Sequence, residues 1–98
     1  MKKILLACNA GMSTSLLVEK MKRYAKDNGI ECEIEAMPAT AAEKVVGQWD
    51  VCLLGPQVRY VLAKMKAASS TPVVVIDTRA YGLMDGAAVM KTALDAMK

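Results

Sequence analysis

Apolar and polar positions along the chain switch repeatedly between a strand-like and a helix-like rhythm, and the switches predict four strand-then-helix units. Lys2 to Ala7 contains the continuous apolar run Ile4-Leu5-Leu6-Ala7, the signature of a strand in a parallel sheet covered on both faces. Beyond the segment from Cys8 to Ser15 the period lengthens. Leu17, Met21, Tyr24 and Ala25 then share one face while Glu19, Lys22, Arg23 and Lys26 are left for solvent, which predicts a helix to about Asp27. Asn28-Gly29 supplies its left-handed stop.

From Ile30 to Ala36, Ile30, Cys32, Ile34 and Ala36 alternate with Glu31, Glu33 and Glu35, a strand with one wet face that suits a sheet edge and places Cys32 in the core. Thr40 and Glu43 have the spacing of a capping box and predict a short second helix ending near Gly47. Trp49 is expected to seal that helix against the sheet at the strand entrance. Val51 to Leu54 is a third, central strand broken by Gly55-Pro56, after which Val58, Val61, Leu62 and Met65 predict a third helix. Val73 to Ile76 is a fourth strand ending at Asp77-Thr78. Tyr81 to Gly86 reads as a loop and helix start, and the closing helix runs to about Met97 with Ala87, Met90, Leu94 and Met97 inward.

Strand and helix alternating four times predict an α/β fold: a single four-stranded parallel sheet with helices on both faces and right-handed crossovers. The edge character of the second strand gives the order 2-1-3-4. Ligands of such sheets settle beyond the carboxyl ends of the strands at the switch point, here between strands one and three. Cys8 and Gly55-Pro56-Gln57 meet there.

Length and charge narrow the functional classes. A chain of 98 residues predicts one domain, 1–98. The formal charge of +3 and four aromatic residues (Trp49 and three tyrosines) leave little for nucleic-acid recognition, so the basic cluster on the first helix reads as a solvated face. Three cysteines without paired spacing and no histidine argue against zinc, and no metal or cofactor is expected. Unpaired thiols point to a reducing cytoplasm. The apolar run from Ile4 to Ala7 falls short of the roughly 7–15 residues of an export signal. No run approaches the roughly 18 residues of a membrane helix, so direct insertion is not expected.

The chemistry gathers at Cys8-Asn9-Ala10-Gly11-Met12-Ser13-Thr14-Ser15, a strand-to-helix turn with a thiol at its lip. Without a proline from Asn9 to Ser15, seven consecutive backbone N–H groups are available to curl around a phosphate, with the hydroxyls of Ser13, Thr14 and Ser15 assisting. A helix beginning there aims its free donors and the positive end of its dipole at the cysteine. The plain alternative is a small apolar residue ending a strand, but the donor run beside it favours anion binding. A redox role needs a second thiol nearby, and there is no Cys-x-x-Cys. A phosphatase of the low-molecular-weight kind needs arginine where Thr14 stands; without that clamp, water attack is slow and a phosphocysteine persists. What remains is a carrier that accepts a phosphoryl group on Cys8 and passes it on.

The motifs Lys3-Ile4 through Cys8 to Leu17, Leu53-Leu54-Gly55-Pro56-Gln57-Val58-Arg59-Tyr60, and Val75-Ile76-Asp77 with Tyr81-Gly82 and Asp85-Gly86 together resemble the enzyme IIB component of the bacterial sugar phosphotransferase system, lactose/cellobiose (chitobiose) type. The resemblance spans essentially the whole chain. It implies that Cys8 takes phosphate from a phosphohistidine on the IIA protein. The phosphocysteine then passes the group to a sugar of the cellobiose, chitobiose or lactose class, held by the membrane IIC protein. Gly55, Pro56 and Gln57 are then expected to wall the site, and Tyr81 and Asp85 to border the partner surface. Asp77 is expected to cap a loop.

Overall fold

In a computed structural model of the protein, which describes residues 1–8 and 14–97, the order of elements follows the alternation in the sequence. Strand β1 spans Lys2–Cys8, β2 Cys32–Pro38, β3 Val51–Leu54 and β4 Val73–Val75. Helices α1 (Thr14–Asp27), α2 (Ala39–Val45), α3 (Leu62–Ala68), α4 (Thr78–Gly82) and α5 (Gly86–Ala96) lie between and after them. The four strands form one parallel sheet in the order β2-β1-β3-β4.

Residue parity along β1 and β3 explains the layers. Ile4, Leu6, Val51 and Leu53 point to one face, where they pack with Leu17 and Met21 of α1 and Val89, Met90 and Ala93 of α5. Leu5, Ala7, Cys52 and Leu54 point to the other and meet Ala42 of α2, Trp49, Val58 and Met65 of α3. Both central strands are therefore apolar at every position from Ile4 to Ala7 and Val51 to Leu54, as a sheet buried on both sides demands. Trp49 does seal the α2 side, buried near the amino ends of the strands, with the Lys3 ammonium 4.9 Å from its ring centroid.

Several boundaries and one face differ from the sequence reading, each for a local reason. Ile30 is drawn into the helix stop, its N–H donating to the Ala25 carbonyl at 2.8 Å beside Gly29 at φ 66°, so β2 starts later and runs to Pro38. Proline is tolerated there because β2 is an edge strand. Cys32, at its start, is half-buried rather than core. The Thr40–Glu43 capping box does not form: α2 begins at Ala39 directly after Pro38, which places Thr40 inside the helix. The predicted third helix is a 3-10 turn over Pro56–Val61, non-helical at Val58, before α3 begins. Asp77 accepts from Ala80 N–H at 3.1 Å and caps α4, within a stretch read partly as loop. The buried face of α5 is Gly86, Val89, Met90 and Ala93, so of the four residues expected inward Met90 is the fully buried one.

Candidate functional site

The carboxyl ends of β1 and β3 are tied together by a single bond one residue before the thiol: Gly55 N–H donates to the Ala7 carbonyl at 2.8 Å. Cys8 follows as the last residue of β1, paired in register with Pro38 of β2. Its Sγ lies 3.7 Å from the Met37 carbonyl oxygen, and the residue is 5% exposed. The thiol therefore stands at the floor of the carboxyl edge, with α1 opening at Thr14 on the same edge. The expected cradle residues Asn9, Ala10, Gly11, Met12 and Ser13 lie outside the described residues, as does the side chain of Thr14; Ser15 is exposed on the first turn of α1.

Gly55 is a point of convergence. A Cβ there would stand 3.6 Å from the Ala7 carbonyl oxygen, 3.6 Å from Cε1 of the Tyr81 ring and 3.0 Å from Gln57 Oε1. A hydrogen in that position leaves room for the Gln57 carboxamide, with the tyrosine edge in ordinary contact range. Pro56, Gln57, Arg59, Thr78, Tyr81 and Gly82 line a cavity of about 430 Å³ on this edge. The sequence reading named Gly55, Pro56 and Gln57 as the wall, of which Pro56 and Gln57 line this cavity; Arg59 and Thr78 were missed because nothing in their spacing marks them.

Tyr81 belongs to the interior. It is 7% exposed and packs in the layer shared by α1 and α5, while its hydroxyl has no hydrogen-bond partner of good geometry among the described residues. Leaving a buried hydroxyl unmatched costs about 1–3 kcal/mol. Burial is the main cause that pushes its pKa up; the neighbouring charge of Cys8 pushes the same way, and the Gln57 side chain close by pulls it partly back. Asp85 is exposed and accepts from Ala88 N–H at 3.0 Å, so its carboxylate caps α5.

The other two thiols are elsewhere. Cys32 begins β2 at the opposite edge of the sheet, its pKa raised by burial against the opposing pull of Lys22. Cys52 is buried inside β3, and desolvation pushes its pKa up to about 12. Below its ordinary value of 9.0 Cys52 is neutral in folded and unfolded chains alike; above it the unfolded thiol ionises first. Stability is therefore expected to fall as pH rises from 9 toward 12, and to fall less in Cys52→Ala, by urea titration at each pH.

Comparison with known proteins places this geometry. A family model described as "PTS system, Lactose/Cellobiose specific IIB subunit" matches residues 3–92. The chain is 44% identical to an oligo-beta-mannoside-specific EIIB component of the phosphotransferase system from Bacillus subtilis, over 99% of this chain and 97% of that protein. It is 41% identical to a cellobiose-specific EIIB component from Lactococcus lactis, over 98% and 96%. The solution structure of a cellobiose-specific phosphotransferase IIB component from Borrelia burgdorferi superposes with a TM-score of 0.80 at 39% identity, over 98% of this chain and 91% of that one.

Proposed function

The chain belongs to the lactose/cellobiose-specific IIB family of the sugar phosphotransferase system, whose EIIB components act in sugar phosphorylation, and from that premise we propose that Cys8 is its phosphoryl carrier. The observation that carries this reading is where the thiols fall. Cys8 alone of the three lies at the carboxyl edge beside Gly55, Gln57 and Tyr81, on the edge where α1 presents its N-terminus.

The transfer is two in-line displacements. The Cys8 thiolate attacks phosphorus on a phosphohistidine of a IIA protein; the S–P bond forms, the P–N bond breaks, and the imidazole leaves neutral, holding the proton on its other ring nitrogen or taking one from solvent. A sugar hydroxyl then attacks the same phosphorus, the O–P bond forms, and the thiolate departs while the hydroxyl proton goes to solvent or a base. Most of the rate in such a step comes from positioning and charge stabilisation. The backbone donors of Asn9 to Ser15 are the residues proposed to hold the phosphoryl oxygens, walled by Gly55, Pro56 and Gln57. In this reading the membrane IIC protein holds the sugar; no described helix of this chain is long and apolar enough to cross a membrane. Relatives named for oligo-beta-mannosides and cellobiose favour a β-linked disaccharide or short oligosaccharide.

Exposed apolar residues support docking by protein partners at this edge. Leu16 on the first turn of α1 is 47% exposed, Tyr60 after Gly55-Pro56 is 77% and Leu83 at the end of α4 is 65%.

A reconstitution tests the reading against a phosphatase. With phosphoenolpyruvate, the general phosphotransferase proteins, a IIA protein and IIC vesicles, cellobiose phosphate is expected to form only when this chain is present. The chain alone is expected to leave p-nitrophenyl phosphate intact. Rapid hydrolysis of that ester, with the chain dispensable for sugar phosphorylation, would overturn the carrier reading.

A further inference from the structure

We propose that the Tyr81 hydroxyl is the side-chain donor that binds the phosphoryl group once it sits on Cys8. The inference rests on the carrier reading of Cys8 and adds a contact to it. Three observations lead there. The Tyr81 ring is packed inside the layer of α1 and α5, yet its Oη is a buried polar atom with no hydrogen bond of good geometry, the Gln57 side chain lying close by. Buried polar groups are matched in the great majority of cases, and those left open mark strain, an unseen ligand or a catalytic duty. The ring also lies over Gly55: its Cε1, adjacent to the hydroxyl-bearing carbon, is on the same side of that glycine as Gln57 Oε1 and the Ala7 carbonyl, each within 3.6 Å of where a Cβ would stand. Finally, Gly55 is bonded to Ala7, the residue before the thiol, so the phenol is held next to the end of β1 by the backbone itself.

The groups around the phenol fit a donor toward an anion. Cys8 of β1 and Gln57 of the turn after β3 act on it, and Arg59 and Thr78 line the same cavity. The Asp77 carboxylate nearby is engaged with the Ala80 N–H. Burial holds the phenol protonated, and a negative charge on Cys8 holds it more firmly so. A phosphocysteine dianion brings acceptor oxygens to a place where the bare thiol offers a weak one, and hydrogen bonds from a neutral donor to a charged acceptor are roughly twice as strong as neutral pairs. The hydroxyl, which has only the Gln57 side chain beside it and no bond of good geometry in the resting protein, thus gains a charged acceptor in the phosphorylated one.

Tyr81→Phe removes the oxygen and keeps the ring. Wild type and variant are each phosphorylated with phosphoenolpyruvate, the general phosphotransferase proteins and a IIA protein, and followed by phosphate uptake and by 31P NMR of the phosphocysteine across pH. Expected are a melting temperature no lower than wild type, phosphate uptake slowed about tenfold, and a phosphocysteine resonance that is displaced and titrates at higher pH. A variant that takes up phosphate at the wild-type rate with an unchanged resonance and titration would overturn the Tyr81 contact while leaving the carrier reading standing. Failure of the wild type to carry phosphate on Cys8 would overturn both.

Discussion

Cys8→Ser is expected to fold with the wild-type circular dichroism spectrum and melt within a few degrees of it, while incorporation of phosphate from a phosphorylated IIA protein falls by at least about a thousandfold. Oxygen for sulfur is a nearly isosteric change at a site whose Sγ has a 3.7 Å contact to the Met37 carbonyl, a weak bond that a hydroxyl can replace. The fold is held by the apolar faces on either side of β1 and not by the thiol. Chemistry, in contrast, depends on it: a serine hydroxyl stays protonated near neutral pH, and the site brings no histidine to act as its base, since the chain has none. Cys52→Ser offers the comparison. Its side chain is fully buried inside β3, so the hydroxyl is expected to lower stability with phosphate uptake by the folded fraction unchanged. Uptake at the normal rate by Cys8→Ser would contradict this account.

Gly86→Ala is expected to lower stability by about 2 kcal/mol, a fall in melting temperature of roughly 10 °C for a chain of this size. Gly86 is the first residue of α5 and is buried against α1. A Cβ there would stand 2.7 Å from both the carbonyl carbon and Cβ of Lys20, and 2.9 Å from the Lys20 oxygen. Two effects oppose each other. Alanine gains up to about 1 kcal/mol of helix propensity over glycine, less at a first turn. Overpacking costs about 1–3 kcal/mol, and more when it strikes backbone that cannot rotate away. The obstruction is mainly main chain, so the clash wins and α1 and α5 must separate. Urea denaturation checks it; a change within about 0.5 kcal/mol would mean that the helices yield at no cost.

Patterns that repeat along the chain were legible in the sequence: β1 and β3 as unbroken apolar runs, the half-wet edge strand, the strand order and the position of Cys8 at the switch point. Features set by neighbours distant in sequence were not. The period of α5 was read correctly but its phase was off, because Gly86 against Lys20 fixes which side of that helix faces α1, and a glycine carries no hydrophobic signal. The capping box at Thr40 looked favourable locally, yet pairing of β1 with β2 as far as Pro38 fixes where α2 begins. Tyr81 was expected to border the partner surface, against the ordinary turn that Tyr81-Gly82 also makes; the short helix α4, capped by Asp77, buries its ring. Arg59 reaches the cavity only because the chain after Gly55-Pro56 is a 3-10 turn. Each miss is a matter of phase or depth, which tertiary contacts decide.

Localising the phosphate by mass spectrometry, after the chain has been mixed with phosphoenolpyruvate, the general phosphotransferase proteins and a IIA protein, bears most directly on the carrier role. One phosphoryl group on Cys8, with Cys32 and Cys52 unmodified, is the predicted outcome. Phosphate on any other residue, or none on a chain that still supports sugar phosphorylation, would contradict it.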